Sequence, residues 1–181
     1  MTYTPLARHR WSIRLKEYDY SWAGWYYVTI CSYKRECVFG QIRNDEVVLN
    51  ASGQVLKRHW EDLPNHYRIE LDSYVVMPNH LHGIIIIKDH SVGAIHESPL
   101  QEKRIIQRRK MLLPKIVGRF KMGTAKEINL LKKTPGVPVW QRNYYEHVIR
   151  NDADLHRIRT YIQNNPLQWA LDEENPANIE E

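Results

Sequence analysis

Residues 70–88 read ELDSYVVMPNHLHGIIIIK. The run from Glu70 to Met77 alternates and then turns apolar, as a half-buried strand does, and Pro78-Asn79 breaks it. His80 to Lys88 reads as a second strand. The two are neighbours in sequence, so they form a hairpin. Working outward from it, Trp25 to Tyr33 (WYYVTICSY) is aromatic and β-branched and follows Gly24, which predicts another strand. Between them, Ala51 to Tyr67 carries Val55, Leu56, Trp60 and Leu63 near the helical period. After a loop at 89–102, Arg104 to Leu131 is helical in spacing through Ile105, Ile106, Met111, Leu112, Ile116, Val117 and Phe120. Pro114 is expected to divide this helix, because an interior proline removes a hydrogen bond and clashes with the preceding turn. Lys132 to Gly136 is a turn, and Val137 to Ile149 (VPVWQRNYYEHVI) predicts a further strand. Asn151-Asp152 offers an N-cap with Asp154 in the first turn. Leu155, Ile158 and Ile162 mark the buried stripe of a last helix that stops before Pro166. The order is β-α-β-β-α-β-α. It predicts an α+β protein with a ferredoxin-like βαββαβ core, an antiparallel sheet with helices on one face, and an additional C-terminal helix.

Composition narrows the class. The chain has 181 residues, 43% hydrophobic and 26% charged, which suits one folded domain. It divides into a basic N-terminal arm over 1–17, the folded body, and an acidic tail over 170–181. Cys31 and Cys37 make neither a disulfide framework nor a C-x-x-C pair, so reduced thiols and a cytoplasmic location are expected. The longest apolar run, Ile84 to Ile87, is far too short to span a bilayer, so no membrane partner is expected. Five of the 21 acidic groups fall in the last ten residues. Residues 1–171 therefore carry 26 basic against 16 acidic groups, a formal +10 that attracts polyanions.

Two short patterns carry chemistry. Side chains on a strand alternate faces, so His80 and His82 point to the same side and Leu81 to the other. Their Cα atoms are about 7 Å apart by the strand rise, close enough for two imidazoles to converge on one divalent ion. A pair of ordinary hydrogen-bonded histidines is the alternative. In the last helix, Tyr161 and Asn165 are four apart and share a face. Asn165 offers a carbonyl oxygen to a hard cation and Tyr161 a phenol that could attack. The alternative is Tyr161 packed beside Ile158 and Ile162, with Asn165 closing the helix. Gln163 points about 200° round the helix from Tyr161.

Together these segments resemble a family. MPNHLHG matches the histidine–hydrophobe–histidine motif of the HUH nucleases. The run 140–166 (WQRNYYEHVIRNDADLHRIRTYIQNNP) resembles the C-terminal block of their single-tyrosine transposases, especially the REP-associated tyrosine transposases. The run 18–40 (YDYSWAGWYYVTICSYKRECVFG) resembles the N-terminal strand region of that group. The histidine motif precedes the tyrosine, whereas relaxases have the reverse order. The resemblance implies a ferredoxin-like fold, His80, His82 and Asn165 as ligands of Mg²⁺ or Mn²⁺, and Tyr161 as nucleophile. It implies cutting and rejoining of single-stranded DNA, hairpin-forming and REP-like or transposon-end in character, through a 5′-phosphotyrosine. A homodimer, with the tyrosine helix serving a partner's histidines, is compatible with it.

Two stretches are candidates for DNA contact: Arg119, Lys121 and Lys126 near the long helix, and Trp140, Arg142, Tyr144 and Arg150 around the fourth strand. Aromatic faces stack on bases and arginines pair with phosphates. Core packing for the aromatics and a solvated helix face for the lysines are the alternatives. A catalytically silent ferredoxin-like module binding single-stranded nucleic acid is the competing function. There is no phosphate-cradling G-x-x-x-x-G-K-[ST] loop, so no nucleotide cofactor is expected.

Overall fold

In the computed structural model, which describes residues 22–88, 111–172 and 174–178, the first strand β1 (Gly24–Cys31) lies inside a four-stranded antiparallel sheet. It is followed by a two-stranded ribbon of β2 (Gly40–Arg43) and β3 (Glu46–Leu49). The helices α1 (Ala51–Glu61) and α2 (Leu63–His66) lead into β4 (Ile69–Val76) and β5 (His80–Ile87). Then come α3 (Leu112–Lys132), β6 (Tyr145–Ile149) and α4 (Asp152–Asn164). The sheet order is β4-β5-β1-β6. This is the ferredoxin-like order expected for βαββαβ. The N-terminal arm, the loop 89–102 and the helical pattern at 104–110 lie outside the described residues.

Strand alternation sorts the side chains into two layers. Tyr26, Val28, Ile30, Leu81 and Ile85 pack against Leu56 and Trp60 of α1 and Ile116, Val117 and Phe120 of α3. Gly83 makes this possible: a Cβ there would lie 2.3 Å from the Trp60 ring, so the indole sits directly on the β5 backbone. Tyr27 and Ile84 face the other way, against Leu155, Ile158 and Ile162 of α4. The core helices share one face as expected, and the last helix covers the opposite face.

The cap expected at Asn151 forms, and Asn50 caps α1 in the same way. Asn50 accepts from the amide of Gly53, and Asn151 from that of Asp154. Pro114 stands in the first turn of α3, where no intrahelical N–H bond is due, and the part of the 104–131 pattern before Met111 lies outside the described residues. Two expectations need correction. The helix expected over 51–67 breaks at Asp62, just before Pro64. The strand expected from Val137 begins at Tyr145. Before it, Trp140 makes an isolated bridge to Ser32, and the Lys121 ammonium gathers the carbonyls of Gln141, Arg142 and Asn143. The β2–β3 ribbon was not anticipated. Asn44 and Asp45, both at positive φ (49° and 62°), form its two-residue turn, a backbone state these residues tolerate. Among the described residues no helix is long and apolar enough to cross a membrane.

Candidate metal centre and nucleophile

The pairing of β5 with β1 sets His80 opposite Cys31 and His82 opposite Thr29. Both histidines face α4, with ring centroids 4.4 Å apart, and both are buried. The bend before them is tied down on both sides. Ser32 N donates to Asn79 O at 2.7 Å, and Phe39 N to Pro78 O at 2.9 Å. His82 Nδ1 lies 2.8 Å from the Tyr27 phenol and 2.9 Å from Thr29 Oγ1. His80 Nδ1 lies 2.8 Å from Asn79 Oδ1. The Nδ1 atoms are thus held from behind, leaving Nε2 of each ring towards the site.

The last helix is fixed over this face by more than its apolar stripe. A register shift in β4 between Leu71 and Tyr74 frees Asp72 from the ladder. Asp72 accepts two bonds from Arg159, at 2.8 and 2.6 Å, and the guanidinium also covers the Trp25 ring. Those bonds hold the Asp72 carboxyl down at about 2. Two residues on, the Tyr161 phenol oxygen is 3.4 Å from His82 Nε2, and its ring meets the imidazole at 62°. Tyr161 is 41% exposed, so the phenol is open to a polymer while touching a buried imidazole.

Asn165 follows the end of α4 and is buried. Its Nδ2 donates to Asp172 Oδ2 at 2.9 Å. Its Oδ1 and the Nε2 of His80 are both buried without a hydrogen-bond partner of normal geometry. The Asn165 amide nevertheless lies near enough to favour a proton on His80. Two orphaned acceptors beside each other are costly unless a cation satisfies them. Ligand atoms of His80, His82 and Asp172 all lie within 4.8 Å of one another, the scale expected of donors sharing one ion. The donor set of two imidazoles, an amide oxygen and a carboxylate therefore fits a divalent metal. A mixed nitrogen and oxygen set does not by itself select one metal.

Electrostatics keep these donors ready. Burial pushes the His80 imidazole down to about 4, against the opposing pull of the Asp172 carboxylate and the Asn165 amide. Burial, aided by its neighbour His80, pushes His82 well below the ordinary imidazole range. Both are neutral at pH 7 with lone pairs to share. Burial pushes the Tyr27 phenol up, so it stays protonated behind His82. Beside the centre opens a cavity of about 700 Å³, lined among others by Arg35, Tyr144, Tyr145, Tyr161, Asn165 and Asp172.

The candidate DNA contacts do not form one surface. Trp140 belongs to the core, tilted against Phe39 and Phe120 with its indole N–H on Thr124 Oγ1 at 2.9 Å. Lys121 spends its ammonium on main-chain carbonyls, and burial lowers it to about 8. Arg119 and Lys126 are exposed on α3, across the sheet from the histidines, where Arg119 reaches His66 at 3.2 Å. Tyr144 lines the cavity, Arg142 is exposed beside its wall, and Arg150 is exposed just past β6. Asp172 and Asn79 were not singled out from the sequence. Asp172 read as part of an acidic tail, and Asn79 as a strand breaker; neither position follows from a period.

No protein-family model matches the chain. An uncharacterized protein of Haemophilus influenzae is 41% identical over 175 residues, which cover 94% of this chain and 96% of that one. A solved REP-associated tyrosine transposase bound to a REP hairpin superposes with a TM-score of 0.60 at 17% identity, over 88% of this chain and 76% of the other. At that identity the likeness concerns the fold.

Proposed function

The chain belongs to one family with that Haemophilus influenzae protein, and from its transposase fold and its His80–His82–Tyr161 site we propose that it is a metal-dependent DNA strand transferase. The proposed substrate is single-stranded DNA with a hairpin; the REP-associated protein of the same fold is bound to a REP hairpin. His80, His82 and Asn165 would hold the ion, Mg²⁺ or Mn²⁺, with the Asp172 carboxylate, hydrogen-bonded to Asn165, as a further donor. When bound, the ion polarises the scissile phosphate and eases loss of the leaving oxygen.

The chain's own residues do the rest. Tyr161 directs its phenol oxygen at phosphorus. A Tyr161 oxygen–phosphorus bond forms and the bond from phosphorus to the 3′-oxygen breaks. The products are a 5′-phosphotyrosine and a free 3′-hydroxyl, the phenol proton leaving and the 3′-oxygen gaining one. Attack by a 3′-hydroxyl from another strand reverses the step and joins new ends. Tyr161 and His82 approach each other within one chain, which supports a reaction in cis. Arg142, Tyr144 and Arg150 are the candidates for guiding the strand. Arg119 and Lys126, on the other face, are left to looser contact with the duplex part of a hairpin.

The single observation that supports this reading is the 3.4 Å approach of an exposed phenol to a buried imidazole whose neighbours carry orphaned acceptors. The test is a denaturing gel of the protein with a labelled single-stranded hairpin and Mn²⁺. A protein–DNA band that survives denaturant and disappears with a chelator is expected. Binding that denaturant abolishes, with no cut strand, would mean a silent binding module.

A further inference from the structure

Asn79 is buried at the bend between β4 and β5, against the first metal-facing histidine. Its Nδ2 donates to the main-chain oxygen of Arg35 at 2.9 Å and to that of Glu174 at 2.6 Å. Carbonyl oxygens only accept, so these two bonds fix which end of the amide is which. The remaining atom, Oδ1, faces His80 Nδ1 at 2.8 Å, and it too can only accept. A neutral His80 must therefore carry its proton on Nδ1. Its lone pair is then on Nε2, the atom that lies buried without a partner beside Asn165. The other tautomer would set two lone pairs against each other behind the ring and point a hydrogen into the site.

We propose that Asn79 is a positioning residue of the metal centre: it locks His80 in the tautomer that turns Nε2 as a donor towards the ion. This rests on the metal-site reading above. Asn79 touches neither ion nor DNA; it acts through the imidazole, as outer partners of metal-bound histidines do. The same amide ties two backbone segments to the ring. One is the turn at Arg35, and the other is the segment that carries Asp172. Arg35 and Glu174 add a salt bridge of 2.7 Å between those segments. The far side of the centre is thereby closed by a residue that sits next to a ligand in sequence.

The experiment is long-range ¹H–¹⁵N correlation of the histidine rings in the metal-free protein at neutral pH, with Mn²⁺ titrated afterwards. Wild type is expected to show His80 as the Nδ1–H tautomer. Asn79→Leu removes the acceptor, and the ring should move to a mixture of tautomers while Mn²⁺ binds about 10- to 100-fold more weakly. Asn79→Asp keeps an acceptor behind the ring but loses both bonds to backbone oxygen. It should melt earlier yet retain the tautomer and bind Mn²⁺ within a few-fold of wild type, which a merely structural role does not predict. An Nε2–H tautomer in wild type overturns the proposal, as does Asn79→Leu with tautomer and affinity unchanged. If Asn79→Leu does not fold, the wild-type spectrum and Asn79→Asp decide. Wild type that shows Nδ1–H but binds Mn²⁺ no better than His80→Ala overturns the metal reading, and with it the role towards the ion, while the hold on the imidazole stands.

Discussion

His82 and Tyr161 lie 79 residues apart in the chain, yet the Tyr161 phenol oxygen is 3.4 Å from the His82 Nε2. The contact crosses from a central strand to the helix that covers it. The phenol reaches the site from an exposed position, so the fold does not depend on its hydroxyl. Tyr161→Phe should therefore melt like wild type and form no covalent DNA complex. Thermal melts and the denaturing gel check the two halves separately. A variant that unfolds would instead mark a structural tyrosine.

Acid should weaken the fold through the buried imidazoles. His80 titrates at about 4 in the folded chain and near 6.5 when unfolded. Between those values the unfolded state binds more protons, so this stabilisation is complete above pH 6.5 and is lost as pH falls towards 4. The slope from one such group is at most about 1.4 kcal/mol per pH unit. Denaturant melts of the metal-free protein between pH 7 and 4 should show this loss, and His80→Gln should flatten it. Equal slopes in both proteins would contradict the assignment.

Trp140 tests which side of the sheet meets DNA. Its ring fills a cluster with Phe39 and Phe120, so Trp140→Ala should cost about 3–5 kcal/mol of stability, the usual penalty for removing a buried aromatic. Arg142→Ala should leave stability within about 0.5 kcal/mol, as exposed substitutions do, and weaken hairpin binding. Urea melts with a binding titration separate the two. A stable Trp140→Ala with weakened DNA binding would move that ring to the interface.

The tether between Arg159 and Asp72 should matter to the reaction more than to ion binding. It joins the helix two residues before Tyr161 to the β4 irregularity. Arg159→Met should lower Mn²⁺ affinity far less than cleavage, because His80 and His82 stand on β5 and of the ligands only Asn165 follows the helix. Cleavage should slow by up to about 100-fold if the phenol drifts by an ångström. A fall in Mn²⁺ affinity equal to the fall in rate would mean that the whole centre has loosened.

These residues also show what could be read in the chain beforehand. A strand repeats every two residues and a helix every 3.6, so the shared faces of His80 and His82, and of Tyr161 and Asn165, follow from spacing. The two faces meet because ordinary patterning of Ile84, Ile158 and Ile162 packs that helix on that strand. Trp140 was ambiguous because an aromatic in an irregular segment suits a core and a stacking surface equally. Lys121 was misleading for a similar reason: a lysine stem packs well, and nothing local tells that three carbonyls will turn to its head. Asp172 lies past Pro166, where no period carries a prediction. Asn44-Asp45 did carry a turn signal between two alternating runs, and the ribbon it closes could have been found there.

The central claim, that Tyr161 bonds to DNA phosphorus, is tested most directly by peptide mass spectrometry of protein incubated with a hairpin oligonucleotide and Mn²⁺. The account predicts a nucleotide attached through its 5′-phosphate to the peptide containing Tyr161, and to no other tyrosine peptide. An adduct on Tyr145, which is similarly exposed beside the same cavity, or a cut strand with no adduct on any peptide, would contradict it.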